Sequence, residues 1–421
     1  MNGKPTSLNP IGKKERIHVL DCLRGFAIFG IFIINIRVFS GYSYASDEFN
    51  NNLLFTSWDS VFDWIHVVFF SGKFYSLFSL LFGIGFAIQL ERASSANRNF
   101  ISFFSRRLFF LLLIGIVHLW LIWFNDILLL YAIGGYILIL FRKIPNKGLL
   151  WYFLILIIMS GLHDWYLQAV NEPYVTEIYK WITESWKSVG LPEASNDYKS
   201  FRMSDIAAVI RDESWSTVLN FNKIGPLLRL YFVSYDARII KILSMFVLGY
   251  WVGRNILFNS LHKNRPFLIK IAVAGWLTGI PLNAYFLYND LEIITEPYNI
   301  IIKGILVPFG YVSLSSAYAA TFALLYRTRL KNIMDNLFQS VGKTALSNYI
   351  LQSFLGIFLF YSAGLGLGEY TGSTLLTPLV FIIFLVQIVI SNIWLKHFRY
   401  GPLEWIWRVL TYGRFIKIRQ K

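Results

Sequence analysis

The sequence holds few charged residues and a single cysteine. Of its 421 residues, 15% are Asp, Glu, Lys or Arg, whereas a soluble domain usually carries about a quarter. Hydrophobic residues make up 56% of the chain, which leaves too little polar surface for a soluble protein of this length. The one cysteine, Cys22, excludes an intrachain disulfide and any zinc site built from cysteines. It lies in an apolar run, where it is expected to be a small buried side chain.

Several common functional motifs are also missing. The chain has no Walker loop, no dinucleotide-binding glycine motif, no HExxH and no Gly-x-Ser-x-Gly, so pump or kinase chemistry has no support. The net charge is +15, but the basic residues form short clusters between apolar runs. A nucleic-acid partner would need one continuous basic patch. We therefore predict no nucleic-acid partner, no metal site and no resident cofactor.

Long apolar runs dominate what remains. About ten of them are long enough to cross the ~30 Å hydrocarbon core of a bilayer, and aromatic residues, 18% of the chain, suit belts at the membrane interfaces. The sequence therefore predicts an all-α, polytopic transmembrane helical bundle. A shorter apolar segment at 57–71 is predicted to be an interfacial or re-entrant helix. The predicted spans are 20–39, 73–90, 107–124, 127–141, 148–165, 239–256, 267–288, 299–326, 337–361 and 375–395.

Lys and Arg residues alternate between successive connections. The short connections near 40–57, 125–126, 289–298 and 362–374 contain none. Because Lys and Arg that flank spans stay in the cytoplasm, the pattern predicts that both termini are cytoplasmic. The first apolar stretch has no cleavage site after it and is predicted to be a retained helix. We expect a multi-pass protein of the bacterial plasma membrane.

The chain divides into four predicted parts. Residues 1–165 form the first five spans, 166–238 an extracytoplasmic connection, 239–395 the last five spans, and 396–421 a basic cytoplasmic tail with an interfacial helix. The long connection is polar and is expected to hold helices near 175–188 and 201–221. A connection of this length usually has its own structure, so a cap or an access gate is predicted.

The first predicted span contains polar residues that are costly in lipid. Asp21 and Arg24 are three residues apart and can pair on one face of the helix. Asn35 lies about 16 Å farther along the same helix. Ionisable residues at membrane depth indicate a functional site by default. A structural ion pair near the cytoplasmic interface is the alternative for Asp21 and Arg24.

His118 and Asp126 form a second candidate pair, eight residues apart at the end of the third span. A carboxylate can orient an imidazole for general-base catalysis. Direct contact is not expected across two helical turns unless the chain bends or another group intervenes. A histidine that is simply hydrogen-bonded within the helix packing is the alternative.

The ninth span carries a polar stripe of Lys343, Ser347, Asn348, Gln352 and Ser353. Asn348 and Gln352 stack one turn apart, and such amides either join helices by hydrogen bonds or line a polar cavity. After the last span, Gly401-Pro402 predicts a turn and a short interfacial helix. On that helix Glu404 and Arg408 are predicted to form a structural pair.

Seven stretches of the chain together resemble the YeiB-type family of bacterial membrane proteins, whose domain is catalogued as domain of unknown function 418. They run from near the start of the chain to near its end. The stretches are RIHVLDCLRGF at 16–26, GKFYSLFSLLFG at 72–83, GIVH at 115–118, NDIL at 125–128, YAIG at 131–134, GKTALSNY at 342–349, and GPLEW at 401–405 followed by Trp407-Arg408.

This family is distantly similar to multi-span membrane acyltransferases, including heparan-type N-acetyltransferases and bacterial glucan or lipopolysaccharide O-acyltransferases. Those enzymes move an acyl group from a cytoplasmic thioester donor to an acceptor at or beyond the membrane. The shared pattern is Leu-Asp-x-x-Arg-Gly at 20–25, followed by Asn35. Some of those enzymes place a catalytic histidine in the stretch that corresponds to 36–57, which contains none here. The resemblance therefore implies that His118 would have to serve.

The resulting hypothesis is an acyltransferase-like protein. His118, supported by Asp126, would be catalytic, either by deprotonating an acceptor hydroxyl or amine or by carrying the acyl group itself. Beside Asp21, Arg24 would bind the phosphate groups of a donor such as acyl-CoA from the cytoplasm, aided by Lys73, since guanidinium suits phosphate. An envelope glycan or lipid acceptor, or the developing oxyanion, would be held by Asn35, Asn348 and Gln352.

Two other functions remain open. A transporter or flippase for a small amphiphile would also use polar residues at depth. Many carriers consist of two related halves, which this sequence lacks. A non-catalytic scaffold in contact with membrane lipids is the third hypothesis, and the sequence gives no oligomeric state.

Overall fold

The computed structural model describes residues 17–45, 53–96, 99–170, 173–193, 200–257, 264–288 and 298–420. This part of the chain contains no β-strand and only two isolated bridges, so the predicted all-α class is confirmed. The helices are α1 (His18–Phe39), α2 (Asp59–Ile65), α3 (Lys73–Ser95), α4 (Phe100–Leu121), α5 (Leu128–Leu140), α6 (Asn146–Ala169), α7 (Pro173–Ser188), α8 (Met203–Ile210), α9 (Trp215–Tyr235), α10 (Arg238–Val252), α11 (Arg265–Tyr288), α12 (Tyr298–Leu325), α13 (Lys331–Met334), α14 (Ser340–Lys343), α15 (Ala345–Phe360), α16 (Ser373–His397) and α17 (Pro402–Tyr412).

Six helical segments of the described chain are long and apolar enough to cross a membrane: α1, the segment from Thr56 to the end of α3, α4, α6, α11 and α16. They indicate a membrane protein. Each of the ten predicted runs overlaps a helix, but the number of crossings remains a prediction. For example, α5 has 13 residues and covers only about 20 Å, less than the ~30 Å of a hydrocarbon core.

The outer surface of α16 is an exposed apolar stripe of the kind that faces lipid. Large apolar side chains along this helix are about half exposed, over roughly three turns. An apolar stripe of this length is unfavourable in water but matches lipid tails. The stripe consists of Phe381, Ile382, Leu385, Val386, Val389, Ile390 and Ile393.

The centre of the bundle is α1, which is buried along most of its length because apolar residues occur all around it. It packs against α3 and against the segment from α14 to α16. A Cβ atom added at Gly342 would lie 1.7 Å from the carbonyl oxygen of Asp21, and one at Gly25 would lie 2.1 Å from that of Phe338. The two glycines therefore allow the backbones to touch, and this contact brings Lys343 close to the start of α1.

Some predicted helices are interrupted in the structure. The predicted span 337–361 breaks at Thr344, where the backbone leaves the helical conformation between α14 and α15. The predicted helix 201–221 is two helices, α8 and α9. They separate because Asp212 accepts a hydrogen bond from the Ser214 N–H and Ser214 in turn caps α9 by accepting from Ser216, as N-cap serines do.

The segment predicted to be interfacial or re-entrant, 57–71, forms a 3₁₀ turn, α2 and a π-helical turn at His66–Phe70 before α3 begins. In the long connection, α7 covers the predicted helix 175–188, and α9 extends to Tyr235. The division into four parts and the placement of this connection outside the membrane remain predictions.

Candidate functional site

A cavity of about 590 Å³ opens among α1, α3, α4, α15 and α17. One end is basic, and the opposite end is apolar and aromatic. Along α3 it extends from Arg92 to Phe78, a distance of about 21 Å. Its basic residues are Arg24, Arg92, Arg107, Lys343 and Arg408, against the two acids Asp21 and Glu404. A cavity of this kind suits an elongated ligand with an anionic head and an apolar tail.

The basic end includes the polar residues of the first predicted span. Arg24 donates a hydrogen bond from Nη1 to Oδ1 of Asp21 at 2.9 Å, so the two residues pair as their spacing predicts. The Arg24 side chain keeps about a third of its surface exposed. A Cβ atom at Gly85 of α3 would lie 3.9 Å from its Nη2. Arg24 therefore faces the cavity across from the C-terminal half of α3.

Lys73 does not join Arg24. It lies at the start of α3, twelve residues before Gly85 and thus about 18 Å away along the helix. Its ammonium donates to the carbonyl oxygen of Val67 at 2.6 Å and lies 4.7 Å from the ring centre of Tyr311. The side chain is 1% exposed and does not line the cavity. The sequence predicted that Lys73 helps Arg24 to bind the donor, but Lys73 lies at the start of α3 and Arg24 beside its C-terminal half, so the two residues are far apart.

His118 and Asp126 are in direct contact. Helix α4 ends at Leu121, and the chain turns back so that Trp123 donates its backbone N–H to the carbonyl oxygen of His118 at 2.8 Å. Nδ1 of His118 then lies 2.8 Å from Oδ2 of Asp126. Contact between these two residues requires a bend in the chain, and the turn at 122–127 is that bend.

Ser353 of α15 completes this arrangement. Its Oγ lies 2.9 Å from Nε2 of His118, and His118, Asp126 and Ser353 are each no more than 1% exposed. If Nδ1 donates to a carboxylate oxygen of Asp126, Nε2 is left to accept from the Ser353 hydroxyl, whose other acceptor within reach is the carbonyl oxygen of Tyr349 at 3.4 Å. Serine, histidine and aspartate in this order are the groups that many acyl-transfer enzymes use.

The contact between Ser353 and His118 is not predictable from the sequence, which indicates only that Ser353 belongs to the polar stripe of the ninth span. The two residues are 235 positions apart, so no spacing rule relates them. The pairing depends on how α15 packs beside the end of α4, and that follows from tertiary structure alone.

The three buried residues lie just behind the apolar end of the cavity. The wall there includes Ile127 and Leu128, which directly follow Asp126, and Tyr349, one turn before Ser353. The ring centres of Tyr349 and His118 are 5.2 Å apart. One side-chain layer therefore separates the cavity from His118.

The three predicted acceptor-binding residues lie outside the cavity wall. Nδ2 of Asn348 donates to Ser391 Oγ at 3.0 Å, and Nε2 of Gln352 donates to Gln387 Oε1 at 3.0 Å. These bonds join α15 to α16, which is the helix-joining alternative. Asn35 is buried in α1, and none of the three predicted residues lines the cavity.

Glu404 of α17 holds the start of α15. It accepts hydrogen bonds from the backbone N–H groups of Leu346 (2.6 Å) and Ser347 (3.1 Å) and from the Ser347 hydroxyl (2.6 Å). Burial raises the pKa of the Glu404 carboxyl, and these hydrogen bonds oppose the rise. The guanidinium of Arg408 lies 4.7 Å from the ring centre of Tyr400. The predicted structural role of Glu404 thus involves α15.

Helix α17 closes the basic end of the cavity. Trp407 donates its indole N–H to the carbonyl oxygen of Arg107 at 2.9 Å, and the Arg107 guanidinium lies 3.9 Å from the Trp407 ring centre. Arg107, Trp407 and Arg408 all line the cavity. The last helix of the chain therefore belongs to the candidate site.

Comparisons with known proteins identify a family and relatives that match nearly the whole chain. A family model described as "Protein of unknown function (DUF418)" matches residues 252–414. The chain is 34% identical over 428 residues to "Uncharacterized protein YxaH" of Bacillus subtilis (strain 168), with 99% of each chain covered. It is 28% identical over 417 residues to "Uncharacterized protein YeiB" of Escherichia coli (strain K12), covering 94% of this chain and 96% of that one. No solved structure matches. The resemblance predicted from the sequence is confirmed, and the chain belongs to the YeiB-type DUF418 family of uncharacterised bacterial proteins.

Proposed function

We propose that the protein is a plasma-membrane acyltransferase that moves an acyl group from a cytoplasmic thioester donor to an envelope glycan or lipid. The observation that carries the proposal is the position of His118, oriented by Asp126 at 2.8 Å, directly behind the apolar end of a cavity with a basic entrance. An oriented imidazole supplies a general base.

The proposed topology has about ten crossings with both termini inside. Under it, the cavity opens to the cytoplasm, because its basic residues lie at the helix ends that carry the Lys and Arg clusters. Arg24, Arg92 and Arg107 would meet the phosphates of an acyl-CoA donor, since guanidinium groups bind phosphate in a planar, bidentate way. The acyl chain would extend past Phe78 and Tyr131 toward Tyr349.

The remaining predicted residues receive different roles in this proposal. Asn348 and Gln352 would keep α15 in place against α16 through their hydrogen bonds. Asn35 would contact the acceptor from α1. His118 would act as the general base of the transfer while Asp126 holds the required tautomer.

The test is a His118→Ala variant in membrane vesicles supplied with radiolabelled acetyl-CoA, with transfer to envelope glycans and lipids as the measurement. Loss of a general base is expected to lower the transfer rate by about 10²-fold or more. His163→Ala is the matched control, because His163 lies on α6 and bonds to Tyr174, away from the cavity. Transfer that is unchanged in the His118 variant would remove this residue from the mechanism.

A flippase for an anionic amphiphile is the second candidate, and the basic entrance and apolar depth of the same cavity favour it. It predicts movement of an anionic lipid across proteoliposomes when no thioester is present. It also predicts that His118→Ala leaves this movement intact. A scaffold would differ from both, because alanine at Asp21, Arg24 or His118 would change only the abundance of the protein.

A further inference from the structure

We propose that Ser353 is the nucleophile of this reaction and that its Oγ carries the acyl group between donor and acceptor. This inference rests on the proposed acyltransferase function. It goes beyond that function because it makes the transfer a two-step reaction with an ester intermediate on the protein.

The first argument is that the basic nitrogen of His118 is already occupied. Nδ1 faces Asp126 at 2.8 Å, and Nε2 faces Ser353 Oγ at 2.9 Å. With 1% of its surface exposed, the imidazole has no free nitrogen for an acceptor hydroxyl as long as the Ser353 hydroxyl is unmodified. The proton that Nε2 is placed to remove is therefore that of Ser353.

The second argument is the distance of this group from the ligand cavity. A serine that only satisfies a buried histidine can lie anywhere in the protein core. Here Tyr349, on the same face of α15 one turn before Ser353, forms the cavity wall and packs against the His118 ring. Rotation of this one side chain would open the apolar end of the cavity to Ser353 Oγ.

The third argument concerns the two sides of the membrane. The proposed donor enters from the cytoplasm, whereas the acceptor belongs to the envelope, so the two substrates approach from opposite faces. Helix α9 also contacts the turn at 122–127, because Arg229 of α9 donates a hydrogen bond to Asn125 Oδ1 at 2.5 Å. A covalent intermediate at Ser353 allows the two substrates to bind in turn rather than together.

The chemistry balances without any further reactant. In the first step Ser353 Oγ gives its proton to His118 Nε2 and attacks the thioester carbonyl. The C–S bond breaks, and the sulfur leaves as a thiol with that proton. In the second step an acceptor hydroxyl or amine gives its proton to Nε2 and attacks the serine ester. The C–O bond to Oγ breaks, and Ser353 recovers its proton from His118.

A fluorophosphonate, which phosphonylates activated serines, tests the nucleophile without knowledge of the donor. The full-length protein in membranes is labelled as wild type and as Tyr349→Ala, which removes the side chain between the cavity and His118. We expect labelling of at least one of the two, greater for Tyr349→Ala. Ser353→Ala and His118→Ala, each also combined with Tyr349→Ala, should lower the labelling by about 10²-fold or more.

Ser160→Ala is the matched control for this labelling, because Ser160 is equally buried and donates only to the carbonyl oxygen of Ile157. Its label should equal that of the wild type. Labelling that persists in Ser353→Ala, or that is missing from both the wild type and Tyr349→Ala, would overturn the proposal.

The transfer assay separates failure of this inference from failure of the proposed function. With radiolabelled acetyl-CoA, the wild type is expected to form a hydroxylamine-labile adduct at Ser353, and Ser353→Cys should form the corresponding thioester. If Ser353→Ala transfers at the wild-type rate while His118→Ala does not, Ser353 is not the nucleophile and the acyltransferase proposal stands. If both variants transfer at the wild-type rate, the catalytic assignment of His118 fails as well.

Discussion

Asp126 uses both of its carboxylate oxygens. One faces His118 Nδ1 at 2.8 Å, and the other accepts the backbone N–H of Leu129 at 2.7 Å. The first contact sets the tautomer of the imidazole, and the second holds the beginning of α5. The same side chain therefore links the proposed chemistry to the local fold, and a substitution can be chosen that separates the two roles.

We expect Asp126→Asn to abolish most activity without changing the fold. The amide oxygen can still accept from Leu129, but the amide NH₂ donates to Nδ1, so the proton moves to Nε2 and His118 can no longer accept from Ser353. The acyl transfer rate and the fluorophosphonate label should both fall by about 10²–10⁴-fold.

Protein abundance and melting temperature provide the check on this variant. Asp205→Asn is the matched control, because the Asp205 carboxylate also accepts a backbone N–H, that of Arg202, at 2.7 Å, but lies in α8, away from the cavity. Equal abundance of the two variants with activity lost only in Asp126→Asn is the expected result. Full activity in Asp126→Asn would contradict the assigned tautomer.

A contact between two side chains can be predicted from the sequence when the two residues are close together along the chain. Asp21 and Arg24 pair because residues three apart lie on the same face of a helix. His118 and Ser353, or Glu404 and Ser347, meet across many intervening residues. Their contacts depend on the packing of whole helices, and a single sequence contains no information on such distant pairs.

Helices follow from local patterns far better than their interruptions do. Each apolar run predicted a helix, because hydrophobic length is a property of consecutive residues. The turn at 122–127 coincides with the predicted connection at 125–126, where Asn125 and Asp126 interrupt the apolar residues, whereas the break at Thr344 falls inside the predicted span 337–361 and was not predicted. At each break the exposed backbone groups are satisfied by distant or returning side chains, such as Glu404 at the start of α15 and Asp126 at the start of α5.

The contact between α1 and α14 should tolerate no side chain at Gly342. A Cβ atom there would lie 1.7 Å from the backbone oxygen of Asp21, and backbone cannot move aside as a flexible side chain can. We expect Gly342→Ala to lower the free energy of unfolding by about 1–3 kcal/mol. Thermal melting in detergent measures the effect.

Gly85→Ala is the control for this change. The nearest atom to its added Cβ would be Arg24 Nη2 at 3.9 Å, an ordinary contact, and alanine favours a helix over glycine by about 0.5–1 kcal/mol. Its melting temperature should equal or exceed that of the wild type. If Gly342→Ala has the same melting temperature as Gly85→Ala, then α1 and α14 are not packed as closely as described.

The proposed function requires that the cavity opens to the cytoplasmic face of the membrane. Helix α17 closes its basic end, and residues 413–420 follow it directly, so the location of this segment reports the location of the entrance. A phosphate-rich thioester is made and kept in the cytoplasm, and an outward entrance would deny it access. The topology is therefore a condition for the proposed function rather than a separate question.

Single cysteines can settle the orientation, because the native Cys22 is fully buried and should not react. Tyr370→Cys lies in the predicted outer connection and Lys417→Cys in the tail, both at exposed positions. A membrane-impermeant maleimide should label Tyr370→Cys in intact spheroplasts and Lys417→Cys only after lysis, with the unmodified protein as the control. Labelling of Lys417→Cys before lysis would show that the basic entrance faces the outside of the cell. Arg24, Arg92 and Arg107 could then no longer meet a cytoplasmic donor, and an envelope anion would become the ligand to test.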